Sequence, residues 1–245
     1  MTSLLLLHGF TGTPGSWDAA CESLPPELSV VRPWLTGHGR PEAAPEIASF
    51  EAEVDRLAAL VTGPFVVAGY SLGGRLAFGL LARHRKRIRA AVIISASAGL
   101  ESAEQRDQRS AADRTWIELL ENQGLESFVS RWEAQPLFKS QRAVEADLRR
   151  AERDRRLAHS AAGLARSLRV TGTGAMPWYG PSLSELSQRI ELLTGALDAK
   201  FCAINRGVAR TLRHAVHREA AGAGHNLLLE RPELVAAAIS RGLQS

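Results

Sequence analysis

The segment Gly69-Tyr70-Ser71-Leu72-Gly73 holds the residue of this chain whose surroundings most favour chemistry. An apolar run at residues 64–68 precedes it, and a helix-forming run at residues 74–81 follows. A sharp turn between a strand and a helix pushes a serine side chain out above the sheet edge, and small neighbours let the backbones pass closely. We predict that Ser71 presents its hydroxyl beside a helix N-terminus, where negative charge is stabilised. The alternative is a serine that only caps the helix.

A serine hydroxyl needs an imidazole to take its proton, and the imidazole needs a carboxylate to fix its tautomer. His225 is the histidine with suitable surroundings, because it lies in a glycine-rich loop before a final helix. Asp198 is the only aspartate after Asp154, and it follows a strand-like apolar run at residues 190–195. It could instead only cap the helix that begins near residue 199. The order Ser71, Asp198, His225 is that of the catalytic triad in α/β-hydrolase folds.

The first apolar run of the chain, Leu4 to Leu7, leads into His8-Gly9-Phe10-Thr11-Gly12. In α/β-hydrolase folds the oxyanion hole combines the backbone N–H after the nucleophile with one from a loop after an early strand. These rules assign the N–H groups of Leu72 and Phe10 to that site. We interpret His8 as a residue that shapes the loop.

The composition favours one enzyme domain that does not enter a membrane. The chain has 245 residues and is 45% apolar, enough for one substantial core. No segment is long and apolar enough to span a membrane, and the short leucine run near the start lacks the features of a signal peptide. Two cysteines, Cys21 and Cys202, fit a reduced, cytoplasmic setting better than a disulfide framework. No metal-binding spacing or nucleotide motif is present, so we expect no metal and no cofactor.

Arginine dominates the positive charge of this chain. The net charge is +4, and 27 of the 30 basic residues are arginine. Twelve of them cluster in one region: Arg106, Arg109, Arg114, Arg131, Arg142, Arg149, Arg150, Arg153, Arg155, Arg156, Arg166 and Arg169. Because arginine binds carboxylates through two parallel hydrogen bonds, this region is suited to a small anionic substrate. Interspersed acidic residues and the lack of a stacking-aromatic pattern argue against nucleic acid.

The remaining pattern predicts an α/β protein with a mostly parallel sheet and flanking helices. The six predicted strands lie near residues 3–7, 28–32, 65–70, 90–95, 190–194 and 214–218. The helices between them lie near residues 14–23, 49–61, 72–85, 199–212 and 231–243. The antiparallel strands that often precede the first of these in this fold are expected to be missing. Residues 99–187 lack strand signals, and we predict that they form a helical cap inserted in a core of residues 1–98 and 188–245.

Six segments of the chain resemble the 2-succinyl-6-hydroxy-2,4-cyclohexadiene-1-carboxylate synthase family, the MenH lyases of menaquinone (vitamin K2) biosynthesis. Two are the serine turn and the loop Leu7 to Gly12, and two more surround Asp198 and His225. The other two are cap segments, Trp132 to Phe138 and Gly163 to Gly174. The serine turn and the histidine loop are shared with many hydrolases, so the cap segments discriminate. The chain departs from the family pattern at Ser160, Met176 and Leu228, and extra residues separate Pro177 from Ser182.

The resemblance implies elimination of pyruvate from 2-succinyl-5-enolpyruvyl-6-hydroxy-3-cyclohexene-1-carboxylate, with the Ser71, His225 and Asp198 triad acting as a base. It assigns substrate binding to five residues: Tyr70, Arg75, Arg109, Trp132 and Arg156. A serine hydrolase of the carboxylesterase type and a non-catalytic ligand-binding module remain alternatives, because a fold alone does not separate them. The sequence leaves the oligomeric state open.

Overall fold

The computed structural model describes residues 3–40 and 46–244, and it contains one sheet of six parallel strands. The strands in chain order are β1 (Ser3–Leu7), β2 (Ser29–Val31), β3 (Phe65–Tyr70), β4 (Ile88–Ile94), β5 (Arg189–Gly195) and β6 (Ala215–Ala220). They lie in the order β2-β1-β3-β4-β5-β6, and each neighbouring pair is parallel. All six are found within about two residues of their predicted positions. The predicted α/β-hydrolase fold class is confirmed.

Helices connect these strands and cover both faces of the sheet. The α-helices of the described residues are α1 (Asp18–Cys21), α2 (Phe50–Ala59), α3 (Leu72–His84), α4 (Ala103–Glu133), α5 (Ala146–Leu157), α6 (Ala161–Thr171), α7 (Gly180–Leu183), α8 (Ala199–Thr211), α9 (Leu227–Glu230) and α10 (Pro232–Leu243). Short 3₁₀ segments occupy Pro14–Trp17, Arg85–Arg87 and Pro136–Ala143.

The leucine run of β1 is apolar throughout because both of its faces are buried. Leu5 and Leu7 pack into the core beneath α2 and α3, whereas Leu4 and Leu6 pack into the core beneath α1 and α10. Side chains alternate between the faces of a strand, so a strand covered on both faces must be apolar at every position. This explains why β1 has a continuous apolar run rather than an alternating pattern.

The order of the strands places a crevice at the carboxyl end of β1 and β3. The chain moves from β1 to β2 on one side and then returns to β3 on the other side of β1. Loops that leave two such strands diverge, and ligands of open α/β sheets bind in the gap between them. The loop after β1 and the serine turn after β3 therefore lie at the position where this fold forms its sites.

Residues 99–187, the segment predicted to be the cap, contain α4 to α7 between β4 and β5. The helix α4 is interrupted at Gly124, which has the non-helical angles φ 78° and ψ 177°. Leu120 and Phe128 of α4 and Leu164 of α6 belong to a separate apolar cluster within this segment. The domain boundaries at residues 98/99 and 187/188 stay a prediction.

No helix among the described residues has the length and apolar character that crossing a membrane requires. The cytoplasmic location inferred from the cysteines stays a prediction.

Candidate active site

The turn between β3 and α3 holds Ser71 in a conformation that few residues adopt, with φ 51° and ψ −105°. Two hydrogen bonds fix the backbone of this turn. The Ser71 N–H donates to the Ile94 carbonyl at 2.8 Å, and the Gly73 N–H donates to the His8 carbonyl at 3.0 Å. A Cβ atom on Gly73 would lie 2.0 Å from the Leu7 carbonyl oxygen. The close approach of β1 therefore requires glycine two residues after the serine.

The three residues predicted to form a triad lie in one hydrogen-bonded chain. His225 Nε2 is 3.2 Å from Ser71 Oγ, and His225 Nδ1 is 2.6 Å from Asp198 Oδ2. The carboxylate accepts the Nδ1 proton, which leaves the Nε2 lone pair facing the serine hydroxyl. The His225 and Asp198 side chains are buried. This arrangement can remove a proton from Ser71 or, through it, from a bound molecule.

Asp198 also fulfils the alternative role considered for it. Its Oδ1 atom accepts the N–H of Phe201 at 3.2 Å in the first turn of α8, while Oδ2 holds the histidine. The Phe201 ring lies 4.7 Å from the His225 ring. One carboxylate thus caps a helix and orients the imidazole, so both oxygens are fixed.

The histidine loop is held between the sheet and the cap. A Cβ atom on Gly195, at the end of β5, would lie 2.0 Å from the Gly224 carbonyl oxygen. On the other side, a Cβ atom on Gly224 would lie 2.0 Å from Ser140 Oγ in the cap. The Gly224 N–H donates to Glu230 Oε2 at 2.7 Å. Gly195 therefore allows the close approach to the sheet, and Gly224 allows the close approach to the cap.

The two N–H groups predicted for an oxyanion hole belong to residues that line the same cavity as Ser71. Leu72 is the first residue of α3, so its N–H has no carbonyl to bind within the helix. The peptide that carries the Phe10 N–H is fixed through the Gly9 carbonyl, which accepts the Gly12 N–H at 3.0 Å and His8 Nδ1–H at 2.8 Å. Within residues 3–40 and 46–244 neither of these two N–H groups donates to a protein acceptor.

A cavity of about 1150 Å³ lies between the carboxyl end of the sheet and the cap. Every predicted site residue except Asp198, which lies behind the histidine, lines it. Tyr70 packs with its ring 5.5 Å from that of His225. Trp132 and Phe10 form an aromatic wall, with ring centres 5.2 Å apart. Aromatic rings therefore form part of the cavity wall near the triad, and charged, amide and hydroxyl side chains from both the core and the cap supply its polar groups.

Arg75 supplies a positive charge that no described carboxylate neutralises by direct contact. Its Nη1 donates to the Thr171 carbonyl of α6 at 2.5 Å. Burial, with a contribution from Arg109, lowers the pKa of the Arg75 guanidinium to about 9, so it remains a cation at neutral pH. Arg109 differs, because its Nε donates to Asp113 Oδ1 at 2.8 Å. Burial raises the pKa of the Asp113 carboxyl despite that partner.

Arg156 lies in the cavity wall but already has two carboxylate partners. Its Nη1 is 2.8 Å from Glu133 Oε1, and its Nη2 is 3.1 Å from Glu152 Oε1. The guanidinium also lies over the Phe138 ring, 5.7 Å from its centre. Burial raises the pKa of the Glu152 carboxyl. The sequence reasoning, which treated Arg156 only as a cation for the substrate, missed both glutamates.

A signal for two of the missed acids was present in the sequence. Asp113 lies four residues after Arg109, and Glu152 lies four residues before Arg156. This spacing brings opposite charges together on one helix face. Glu133 is 23 residues from Arg156, so only the packing of α4 against α5 pairs them.

The three departures from the family pattern fall in different places. Ser160 caps α6 by accepting the Gly163 N–H at 3.1 Å. Met176 is buried in the core and does not line the cavity. Leu228 does line it, in the first turn after the histidine loop.

Comparison with known proteins agrees with this geometry. A family model described as the alpha/beta hydrolase family matches residues 4–238. A Bacillus subtilis (strain 168) protein provisionally named 2-succinyl-6-hydroxy-2,4-cyclohexadiene-1-carboxylate synthase is 34% identical over 99% of this chain and 90% of its own length. The Klebsiella pneumoniae (strain ATCC 700721) enzyme of that name is 31% identical over 99% of this chain and 94% of its own.

The solved structure of MenH from S. aureus superposes with a TM-score of 0.93, and it is 26% identical over 99% of this chain and 93% of its own. Fold, sequence and cap therefore all agree with the resemblance seen in the motifs. The chain belongs to the α/β-hydrolase family and, within it, to the family of 2-succinyl-6-hydroxy-2,4-cyclohexadiene-1-carboxylate synthases.

Proposed function

We propose that this protein is a carbon–oxygen lyase that forms 2-succinyl-6-hydroxy-2,4-cyclohexadiene-1-carboxylate and pyruvate in menaquinone biosynthesis. Its substrate is 2-succinyl-5-enolpyruvyl-6-hydroxy-3-cyclohexene-1-carboxylate. The observation that carries the proposal is that the hydrogen-bonded triad opens into the same cavity as Arg75, a cation with no described carboxylate partner. A triad beside such a cation suits proton abstraction from a carboxylate-bearing molecule.

In the proposed reaction the triad acts as a base. His225, held by Asp198, takes the hydroxyl proton of Ser71, and the serine oxygen removes the ring proton next to the succinyl ketone. The ketone oxygen gains negative charge, which the N–H groups of Phe10 and Leu72 stabilise. The enolate electrons then move through the ring double bond and break the bond to the enolpyruvyl oxygen. That group leaves, takes up a proton and becomes pyruvate.

The substrate carries three carboxylates, and the cavity offers cations of different strength to them. We assign one carboxylate to Arg75, whose charge is open to it, and others to Arg109 and Arg156, which share their charge with acids. Tyr70 and Trp132 form apolar walls around the ring. The pairing with acids makes the two shared arginines weaker anion sites than Arg75, because a substrate carboxylate there is repelled by its neighbour.

Pyruvate release from the enolpyruvyl cyclohexene substrate tests this function directly. We expect release well above the spontaneous rate, and a loss of about 10³-fold or more in the Ser71→Ala variant, because removal of a triad member abolishes most catalysis. Fluorescence titration should show that the variant still binds the substrate.

Two results would contradict the proposal. Rapid cleavage of p-nitrophenyl esters with no pyruvate above background would indicate a serine hydrolase. Tight binding with no turnover in the wild-type protein would indicate a ligand-binding module.

A further inference from the structure

Three histidines that the proposed reaction does not use lie buried next to the loop after β1. His8 and His38 have ring centres 4.8 Å apart, and His38 and His159 have ring centres 5.3 Å apart. His8 and His38 come from core loops, whereas His159 comes from the cap, between α5 and α6. His159 is buried between the cap and the core, where it contacts the backbone of Gly39 and Thr11.

The contacts of His159 fix its tautomer. Its Nδ1 accepts the Gly39 N–H at 2.8 Å, so the ring proton is on Nε2, which donates to the Thr11 carbonyl at 3.0 Å. Burial lowers the pKa of His159, so the ring is neutral at physiological pH and Nδ1 can accept. One ring therefore binds the cap to two different loops of the core.

Thr11 needs this support because its backbone is in the left-handed region, with φ 65°. A residue with a branched side chain adopts this region only at a cost of about 1 kcal/mol or more. Histidines hold both of its backbone polar groups: His38 Nε2 accepts the Thr11 N–H at 3.1 Å, and His159 binds the carbonyl. The conformation of Thr11 thus depends in part on a cap residue.

The Thr11 carbonyl and the Phe10 N–H belong to two peptide groups that are joined by one hydrogen bond. The Thr11 carbonyl and the Gly12 N–H belong to one planar peptide, and that N–H donates to the Gly9 carbonyl at 3.0 Å. The Gly9 carbonyl and the Phe10 N–H belong to the next planar peptide in this chain of bonds. A peptide that is held at its carbonyl has its N–H direction fixed as well, and hydrogen bonds in series polarise one another.

We propose that His159 is a positioning residue for the oxyanion hole, because its hydrogen bond to Thr11 acts with that of His8 to the Gly9 carbonyl to fix the direction of the Phe10 N–H through the Gly12 and Gly9 peptides. His159 touches no reacting atom. Its role rests on the proposed function only in that the Phe10 N–H stabilises the enolate oxygen. The cap then contributes to the rate of the chemical step as well as to binding.

Two substitutions separate the two hydrogen bonds of this ring. His159→Gln places an amide N–H near the position of Nε2 and keeps a donor for the Thr11 carbonyl. His159→Asn places an amide oxygen near the position of Nδ1 and keeps only the acceptor for the Gly39 N–H. His159→Ala removes both. His214 is exposed on the loop before β6 and does not line the cavity, so His214→Gln is the matched control.

We expect His159→Ala to lower kcat for pyruvate release about 10- to 100-fold with little change in KM, since small misplacements in an active site cost about that much. His159→Gln should recover most of the rate, whereas His159→Asn should not. Thermal unfolding identifies any variant that fails to fold. If His159→Ala fails to fold, the comparison of His159→Gln with His159→Asn still tests the proposal.

The labelling rate of Ser71 by a fluorophosphonate gives a second measurement, because the phosphonyl oxygen enters the same oxyanion hole. This rate should rank the variants in the same order even if the wild-type protein releases no pyruvate, so failure of the proposed function is distinguishable. The proposal would be overturned if His159→Gln and His159→Asn had equal labelling rates and equal kcat values. It would also be overturned by an effect confined to KM, or by an unchanged kcat in folded His159→Ala.

Discussion

We predict that the carboxylate of Glu152 weakens substrate binding and that its removal improves affinity. The carboxylate is buried and lies 3.1 Å from Nη2 of Arg156, which lines the cavity. A substrate carboxylate that binds the same guanidinium must lie close to that of Glu152. The substitution Glu152→Gln keeps the shape and a hydrogen-bond acceptor for Arg156 but removes one negative charge.

The size of the effect follows from the geometry. Two carboxylates on one guanidinium lie about 5 to 6 Å apart, and at an effective dielectric constant of about 20 their repulsion is about 3 kcal/mol. Arg156 itself and water in the cavity reduce this value, so we expect KM to fall about 10- to 100-fold where Glu152 is ionised. Glu133 remains as a partner of Arg156, at 2.8 Å, and limits the loss of stability.

The effect should depend on pH with a definite sign. Burial raises the pKa of Glu152, and a bound anion nearby favours its protonated form further. Substrate binding therefore takes up a proton wherever the free enzyme has an ionised Glu152, and wild-type KM increases as the pH rises through that range. Groups that titrate in both proteins affect both KM values equally, so their effects cancel in the ratio of wild-type KM to Glu152→Gln KM. It should approach one at low pH and reach its maximum above the pKa of Glu152.

Steady-state pyruvate release across pH measures this ratio. The matched control is Asp154→Asn, which removes an exposed carboxylate from the same helix and should leave KM unchanged. A KM ratio that stays near one at every pH would refute the reasoning, because the substrate carboxylate would then not approach Arg156. A ratio above one that does not change with pH would also contradict it, because the gain in affinity would then not follow the titration of Glu152.

Further substitutions test the other parts of the site. Arg75→Gln should raise KM about tenfold or more in the pyruvate assay, since a hydrogen bond to a charged group contributes about 1.5 to 3 kcal/mol. The control Arg114→Gln, at an exposed position, should leave KM unchanged. If KM of Arg75→Gln equals that of the wild-type protein, Arg75 does not bind the substrate. Gly73→Ala should lower the free energy of unfolding by about 3 kcal/mol because its Cβ atom would overlap the Leu7 carbonyl. Gly207→Ala, in an exposed turn of α8 with open space around it, should raise that free energy by about 0.5 to 1 kcal/mol in the same denaturation experiment, and the opposite signs would contradict the steric reasoning.

The strands and the serine turn could be predicted from the sequence because their signals are local. Apolar runs such as Leu4 to Leu7 mark strands buried on both faces, and the glycines around Ser71 mark a turn that no larger residues fit. The assignment of Asp198 rested on the known order of the triad. The sequence offered helix capping as an alternative, but it could not reveal that the two oxygens of one carboxylate perform both tasks.

The interactions within the cap and across to the core could not be predicted in the same way. Glu133 reaches Arg156 only because α4 and α5 pack together, and His159 reaches Thr11 across 148 residues of chain. Neither contact follows from periodicity or from a motif. Charge alone indicated an anion site in the arginine-rich region, but which arginines have free charge depends on these long-range partners.

The motifs suggest that the core provides catalysis and the cap provides substrate binding, but in the structure the cap also contacts the catalytic loops. Ser71, Asp198 and His225 come from loops at the carboxyl end of the sheet, although the cap residue Ser140 packs against the loop that carries His225. Part of the charge available to the substrate is set in the cap, where Arg156 pairs with two glutamates. Through His159 the cap also reaches the loop that carries the Phe10 N–H. Substitutions in the cap should therefore separate into two classes, those at charged residues changing mainly KM and those at His159 changing mainly kcat.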